Sequence, residues 1–458
     1  MADVYIIYAR ENRDVAEQVR DLLSPSWSVW LDDLIVGDCA SAIKENLQKS
    51  ACVVALYSEY AGKAAVTDEL RLANKYGKKI IPLQLDESDA PYSFGNFSTV
   101  DFRSWSGEPG HKVFKLLQVK IQEVVPARRP AERPSSLFGI LPIPNIFMSV
   151  SSHETQFKPA EALSVLKAHN TKSLLVSAYD LVKSNDKIHM IEEIIAYREQ
   201  GGFVLVDSGN YEADRTEDKE WTAELFHQAL SETPHDCTFC FDNLEPDDDP
   251  DKTIEEVVQA FERDRQHTSA PVFPIVHVPQ NEQGLNHLPY IVNEVANRIR
   301  PTVIAIAERE LGPGLAQRAQ TMKRVRTSLR ELPFYQPDHL LGTGNPWSIS
   351  ILVAAGADTF DGLEWCRFSI DPVRGRLHHF QHFDFFKYSW PRTPLLDMVD
   401  ADTNIKYAGK VALYNLEYYQ EFGRLMQSMI ASNESTLFAT GIGLTAPELK
   451  KLFPEIFQ

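Results

Sequence analysis

The chain has 458 residues, a length that as a soft prior holds about three domains of roughly 150 residues, or two if one is an α/β barrel. Hydrophobic residues at 43% and charged residues at 24% are ordinary globular values, which excludes wholesale disorder, a collagen-like chain and a coiled coil. The 46 Lys and Arg against 64 Asp and Glu leave a net charge of −18, which argues against indiscriminate binding to a polyanion and leaves room only for a local basic groove. No apolar stretch is long enough to cross a bilayer, and the N-terminus lacks a basic segment followed by an apolar one, so neither a membrane partner nor a secretion signal is expected. Five cysteines, at 39, 52, 237, 240 and 366, fit a reducing cytoplasm better than a disulfide framework.

Taken in chain order, Val4–Tyr8 is a β-branched and aromatic run, followed by a helix over 11–23 with Val15, Val19, Leu22 and Leu23 on one face. Ser28–Asp32 reads as a second strand and 39–50 as a helix. Ala51–Ser58 is a continuous apolar run, the mark of a parallel strand buried on both faces. A helix over 65–76, strands at Lys79–Leu85 and Val100–Phe102, and a helix over 111–124 complete an alternating unit. Five strands alternating with helices imply a parallel sheet covered on both sides. Pro126–Ser136 then carries three prolines, three arginines and no large apolar residue, and reads as an extended tether. The expected organisation is a first domain over 1–125, a linker over 126–137 and a second domain over 138–458.

Eight further strands are predicted: Phe147–Ser151, Ser173–Ala178, Phe203–Asp207, Thr238–Asp242, Val272–His277, Val303–Ala307, His339–Gly342 and Ala357–Asp361. Helical patterns over 187–200, 221–232, 286–300 and 314–331 lie between them. Eight βα units in about 220 residues are the count and size of a (β/α)₈ barrel, whose functional groups collect at the carboxyl ends of its strands. Polar residues stand at several of those ends: Asp207-Ser208-Gly209 after the third, Asp242 after the fourth, His277 after the fifth, Glu308 after the sixth and Asp361 at the last. Asp247–Asp249 reads as a solvated loop entering a helix N-terminus. Cys237 and Cys240 read as core, and 404–431 as helical towards its end.

Two resemblances follow from the motifs. Asp3-Val-Tyr-Ile-Ile-Tyr8, Val29–Asp38 and Leu56–Tyr60 followed by Ala65–Leu70 resemble, in order and spacing, the opening strand, second strand with its loop, and third-strand-to-helix segment of TIR domains. That resemblance covers 1–124 and implies a flavodoxin-like five-stranded sheet. In its NAD-cleaving members a Ser, a Trp and an essential Glu are spaced in this way. Glu69 falls at the Glu position, Ser58 at the Ser, and Ala65 stands where the Trp would be. A carboxylate suits that chemistry, because breaking the nicotinamide–ribose bond develops oxocarbenium charge that an anion stabilises. Tyr8, Arg10, Asp38 and Ser58 are expected to line the pocket.

Val204–Glu212, Phe241-Asp242, Phe273–His277, Leu340–Pro346 and Ala357–Asp361 with Arg367 are similar, in the same order, to the motifs of tRNA-guanine transglycosylases. This resemblance covers about 140–430. It implies Asp361 as nucleophile at a ribose anomeric carbon and Asp207 as acid/base at the base. It implies Asp242 as the group that binds the base edge; Ser208, His277 and Arg367, which stand in its motifs, and Glu308, which ends the sixth strand, are expected as further substrate contacts. The three cysteines and the His that hold a structural zinc in that family have no counterpart, and Asn415 stands where the His would come, so no zinc or other metal is expected. Together the resemblances imply a cytoplasmic bacterial antiviral effector that takes NAD as substrate, self-associates through its TIR-like part, and senses a nucleobase, nucleotide or nucleic-acid trigger with its barrel. The alternative is a base-exchange enzyme that inserts a 7-deazaguanine into tRNA or DNA, with the TIR-like part as adaptor.

Overall fold

The structure is a computed structural model that describes residues 2–23, 26–31, 39–108, 111–126, 133–153, 155–432 and 444–457. Asp38 and residues 127–132 of the expected linker lie outside the described residues. The chain divides into two compact units, one of Met1–Arg133 with the short segments Asn297–Arg300 and Arg330–Tyr335, the other of the remaining residues from Pro134 onward. No helix among the described residues is long and apolar enough to cross a membrane.

The first unit is a five-stranded, all-parallel sheet. Its strands are β1 Val4–Ile7, β2 Val29–Trp30, β3 Cys52–Tyr57, β4 Lys79–Gln84 and β5 Val100–Asp101, in the order β2-β1-β3-β4-β5. Strand alternation splits its core in two. Val4, Ile6, Cys52, Val54 and Leu56 pack on one face with Phe114, Leu117 and Ile121 of the helix α4, Lys112–Gln122. Tyr5, Ile7, Val53, Ala55 and Tyr57 pack on the other with Val66, Leu70 and Ala73 of α3, Ala64–Lys75. Every residue of β1 and β3 is buried, as the apolar run 51–58 requires. The order is that of flavodoxin-like sheets, which bind ligands beyond the carboxyl ends of β1 and β3, where the winding reverses.

The second unit holds a parallel barrel. Its strands are Asn145–Val150, Ser173–Ser177, Phe203–Asp207, Cys237–Phe239, Val272–Phe273 with Ile275–Val276, Ile304–Ala307, Asp338–Leu341 and Thr359–Gly362. The sheet has nine pairing segments because the fifth strand is split at Pro274, which has no amide hydrogen to give to the ladder. The Pro274 carbonyl still accepts from Ala305 N at 2.8 Å, so the ring continues through the chain. The eighth strand pairs with the first, Asp361 opposite Phe147. Phe147, Leu175, Leu205, Cys237, Phe239, Phe273, Ile275 and Ala305 fill the interior, closed by Leu137 and Leu141 of a short antiparallel hairpin. Asp249 caps the helix Pro250–Asp264 by accepting from Asp251 N, in keeping with its expected place at a helix start.

After the barrel come an antiparallel hairpin, Phe368–Asp371 with Arg376–His379, and a long helix, Tyr407–Ser432. Asn415 of that helix is fully buried. Its Nδ2 donates to the carbonyls of Trp365 (2.9 Å) and Phe368 (2.7 Å), and its Oδ1 accepts from Ile370 N (3.2 Å). The Asn415 amide thus ties hairpin to helix.

Candidate functional site

In the first unit, Glu69 lies on the second turn of α3, half-buried, and the Tyr5 hydroxyl donates to its Oε2 at 3.0 Å. Tyr5 belongs to the fully buried β1, and its ring stacks on Trp30 of β2 at 4.6 Å. The carboxylate is therefore positioned from the sheet rather than left as a solvated helix charge. Ser58, at the end of β3, donates to Asn12 Oδ1 at 2.7 Å. Tyr8 packs on the opposite core face from Tyr5, Arg10 is exposed at the start of a short 3₁₀ turn, and Ala65 is exposed on α3.

At the carboxyl ends of the barrel strands lies a cavity of 350 Å³ lined by Asp207, Ser208, Asp242, His277, Glu308, Asp361 and Arg367. All seven barrel residues singled out from the sequence meet there. Alternation explains much of this: inward rows that are apolar at the barrel floor continue into polar groups at its mouth. Phe147 leads to Ser149 and Ser151, Leu175 to Ser177, Leu205 to Asp207, and Phe273 with Ile275 to His277.

Asp361 is fixed by three contacts. Ser149 Oγ donates to Oδ2 at 2.8 Å, Gly342 N donates to Oδ1 at 2.9 Å, and His339 Nε2 lies 3.1 Å from Oδ1. Asp207 is different: burial first, then the charges of Glu212, Asp242 and Asp361, push its pKa well above the usual carboxylate range. It is biased towards its protonated form and shares the cavity with the oriented Asp361 carboxylate. Glu212 is also raised by burial, against the hydroxyls of Ser151 (2.5 Å) and Ser177 (2.7 Å) that donate to it. The turn after Asp207 depends on Gly209, whose φ is +79° and where a Cβ would sit 2.5 Å from Tyr179 N.

Asp242 and His277 form a charged pair. His277 Nε2 lies 2.7 Å from Asp242 Oδ2 and its Nδ1 lies 2.7 Å from Glu310 Oε1, while Asn210 Nδ2 donates to Asp242 Oδ1 at 2.8 Å. Burial alone would lower the His277 pKa, but hydrogen bonds to two carboxylates and their charges outweigh it and raise it to about 10. Burial would raise Asp242, but His277 overrides that and holds it below the usual range. Asp242 is therefore biased towards its ionised, accepting form, and Asp207 towards its protonated one. Glu308 accepts from Arg318 Nη1 at 2.5 Å with Oε2, and its buried Oε1 has no partner among the described residues. Burial raises Glu364 to about 7, with Asp361 and Glu308 adding to it.

Because His277 is raised above its unfolded value near 6.5, its stabilisation is full below that pH and is lost as pH rises through about 10. Wild-type protein should lose thermal stability between pH 6.5 and 10. His277→Gln should be less stable at pH 6.5 by about 3–5 kcal/mol, because it leaves Asp242 and Glu310 facing each other unneutralised, and its melting temperature should fall less with pH over that range. A wild-type slope retained in the variant would refute the assignment.

Sequence reasoning missed Ser149, His339, Glu310 and Glu364. Ser149 and His339 were within reach, since both lie on the inward rows of predicted strands. Glu310 and Glu364 lie on short helical turns after strands, where no simple period applies.

The first unit thus belongs to the open, doubly wound α/β class with a carboxylate held beside its central strands. Residues 4–117 match the family model for the TIR domain, and this part of the chain is a TIR domain. No curated protein matches the chain.

Proposed function

We propose that the chain is a two-part bacterial antiviral effector: the TIR domain cleaves the nicotinamide–ribose bond of NAD, and the barrel binds a nucleobase-bearing trigger that switches the TIR domain on. The observation that carries the reading is Glu69, a carboxylate positioned by Tyr5 in a TIR domain. As the bond breaks, its electron pair leaves with nicotinamide, and Glu69 stabilises the positive charge left on the ribose. TIR domains commonly self-associate, so a trigger that aligns two copies would complete the NAD site.

The barrel cavity suits a base. Asp207, biased towards its protonated form, and Asp242, biased towards its ionised form, offer a donor and an acceptor, complementary to the mixed edge of a heterocycle. Nicotinamide release by the full chain should rise at least tenfold when guanine, a 7-deazaguanine or nucleotides from a phage lysate are added, and Asp242→Asn should lose the response. No nicotinamide under any trigger would sink this reading.

A second reading rests on the Asp361–Asp207 contrast, two carboxylates in different environments as a double displacement requires. Asp361 would attack the anomeric carbon while the departing base takes the Asp207 proton. Incorporation of labelled guanine into tRNA or DNA by wild type, lost in Asp361→Asn, would favour it.

A further inference from the structure

Beneath the carboxylate cavity lies a titratable group that neither proposed reaction uses. His339 stands on the seventh barrel strand, Asp338–Leu341, and is 1% exposed. That strand pairs with the eighth so that Thr359 lies directly opposite His339. Asp361, two residues beyond Thr359, shares its face of the strand one step nearer the mouth. The imidazole reaches both. Phe239 and Phe147 pack around it, their ring centroids 5.1 and 5.8 Å from its own.

The hydrogen bonds at the ring run in one direction. Thr359 Oγ1 lies 2.9 Å from the Asp338 carbonyl, which can only accept, so the hydroxyl proton goes there. A hydroxyl has a single proton, and Thr359 Oγ1 therefore accepts from His339 Nδ1, 2.9 Å away. That places a proton on Nδ1. A neutral ring would then turn a bare Nε2 lone pair towards Asp361 Oδ1 at 3.1 Å. Gly342 N already donates to that oxygen at 2.9 Å, which fits a carboxylate acceptor better than a hydroxyl. Two lone pairs facing each other between aromatic rings would repel, and each would lack a donor. Turning the ring over about its Cβ–Cγ bond would face carbon to both oxygens and forfeit both contacts.

We infer that His339 carries a proton on both ring nitrogens and is a positioning residue for Asp361, engaging Oδ1 so that Oδ2 is the oxygen left to react. Oδ1 is filled by His339 and Gly342, while Oδ2 takes one bond, from Ser149 Oγ at 2.8 Å. The imidazolium acts from the core side. It offsets part of the negative charge that Asp207, Asp242, Glu308 and Asp361 bring to the cavity, and it takes no ligand space, since it does not line that cavity. The chemical consequence rests on the base-exchange reading; the protonation of the ring does not. In that exchange Oδ2 forms the bond to the anomeric carbon as the carbon–nitrogen bond breaks. The electron pair leaves on the base, the base takes the Asp207 proton, and both His339 protons stay in place.

The test is a two-bond ¹⁵N–¹H correlation spectrum of the full chain, labelled with ¹⁵N-histidine, at neutral pH. His339 is assigned as the ring that disappears in His339→Gln and shifts in Asp361→Asn, with Thr359→Val in reserve should either variant fail to fold. In wild type its two nitrogens should resonate close together, the signature of an imidazolium. In Asp361→Asn they should split widely, as in a neutral ring protonated at Nδ1, because the amide can donate to Nε2. A neutral His339 in wild type, protonated at either nitrogen, would overturn the inference. So would an imidazolium pattern that persists in Asp361→Asn. If wild type incorporates labelled guanine, His339→Gln should lower kcat about tenfold and leave KM nearly unchanged, and an unaltered kcat would overturn the positioning role. A doubly protonated His339 in a chain that incorporates no guanine would uphold the His339–Asp361 pair and reject base exchange instead.

Discussion

Glu69→Gln should lower the rate of nicotinamide release from NAD by about 10²–10³-fold, the scale of one well-placed electrostatic group. The substitution keeps the side chain's shape and its acceptor for the Tyr5 hydroxyl, which is 3.0 Å from Oε2. It removes only the charge. Since the charge acts on the cation that develops as the bond breaks, kcat should carry the loss and KM should move little. Tyr5→Phe should show a smaller loss of about tenfold, because it frees Glu69 from its anchor in β1 without discharging it. Thermal melting of both variants should stay near wild type, and this separates a chemical effect from an unfolded domain. A Glu69→Gln protein that cleaves NAD at the wild-type rate would remove the carboxylate from the mechanism.

How much of this was legible depended on which physical signal each group sat on. The apolar run 51–58 announced a strand buried on both faces, and β3 is that strand. The fourth barrel strand was placed at 238–242 but runs Cys237–Phe239; Asp242 lies past its end, where Asn210 and His277 hold it. The barrel mouth was readable because polar residues at strand ends interrupt otherwise apolar rows, and Asp207, His277 and Asp361 all came from that reading. Glu69 could be named only from motif order, because nothing in a lone helical Glu reveals a tyrosine 64 positions away. The protonation pattern was not legible at all. Asp207 and Asp242 look alike in sequence, and they differ because one faces carboxylates and the other faces a His wedged between two acids.

The other end of the barrel carries the largest expected effect on stability. Arg326, on the helix Leu315–Leu329, is buried at the amino-terminal ends of the last two strands. Its Nη2 bonds Asp338 and, at 2.7 Å, Asp358; Nη1 donates to the Gln336 carbonyl at 2.8 Å, and Nε to the Gly356 carbonyl at 3.0 Å. The two carboxylates also brace each other's strand: Asp338 N donates to Asp358 Oδ2 at 3.0 Å, and Asp358 N to Asp338 Oδ1 at 2.9 Å. Polar groups at this end of a barrel serve stability, since chemistry lies at the opposite mouth. Arg326→Met should cost about 3–5 kcal/mol, because two fully buried carboxylates lose their common counter-charge, and should lower the barrel's melting temperature by roughly 10 °C or more. Arg326→Lys should cost less, since it keeps the charge but not the planar fork that reaches four acceptors. Adding Asp338→Asn and Asp358→Asn to Arg326→Met should recover part of the loss, because the penalty lies in the uncompensated charges rather than in the missing bonds. Urea melts of the four proteins decide it: a triple variant no more stable than Arg326→Met would show that the cluster works by packing and hydrogen bonding, not by charge.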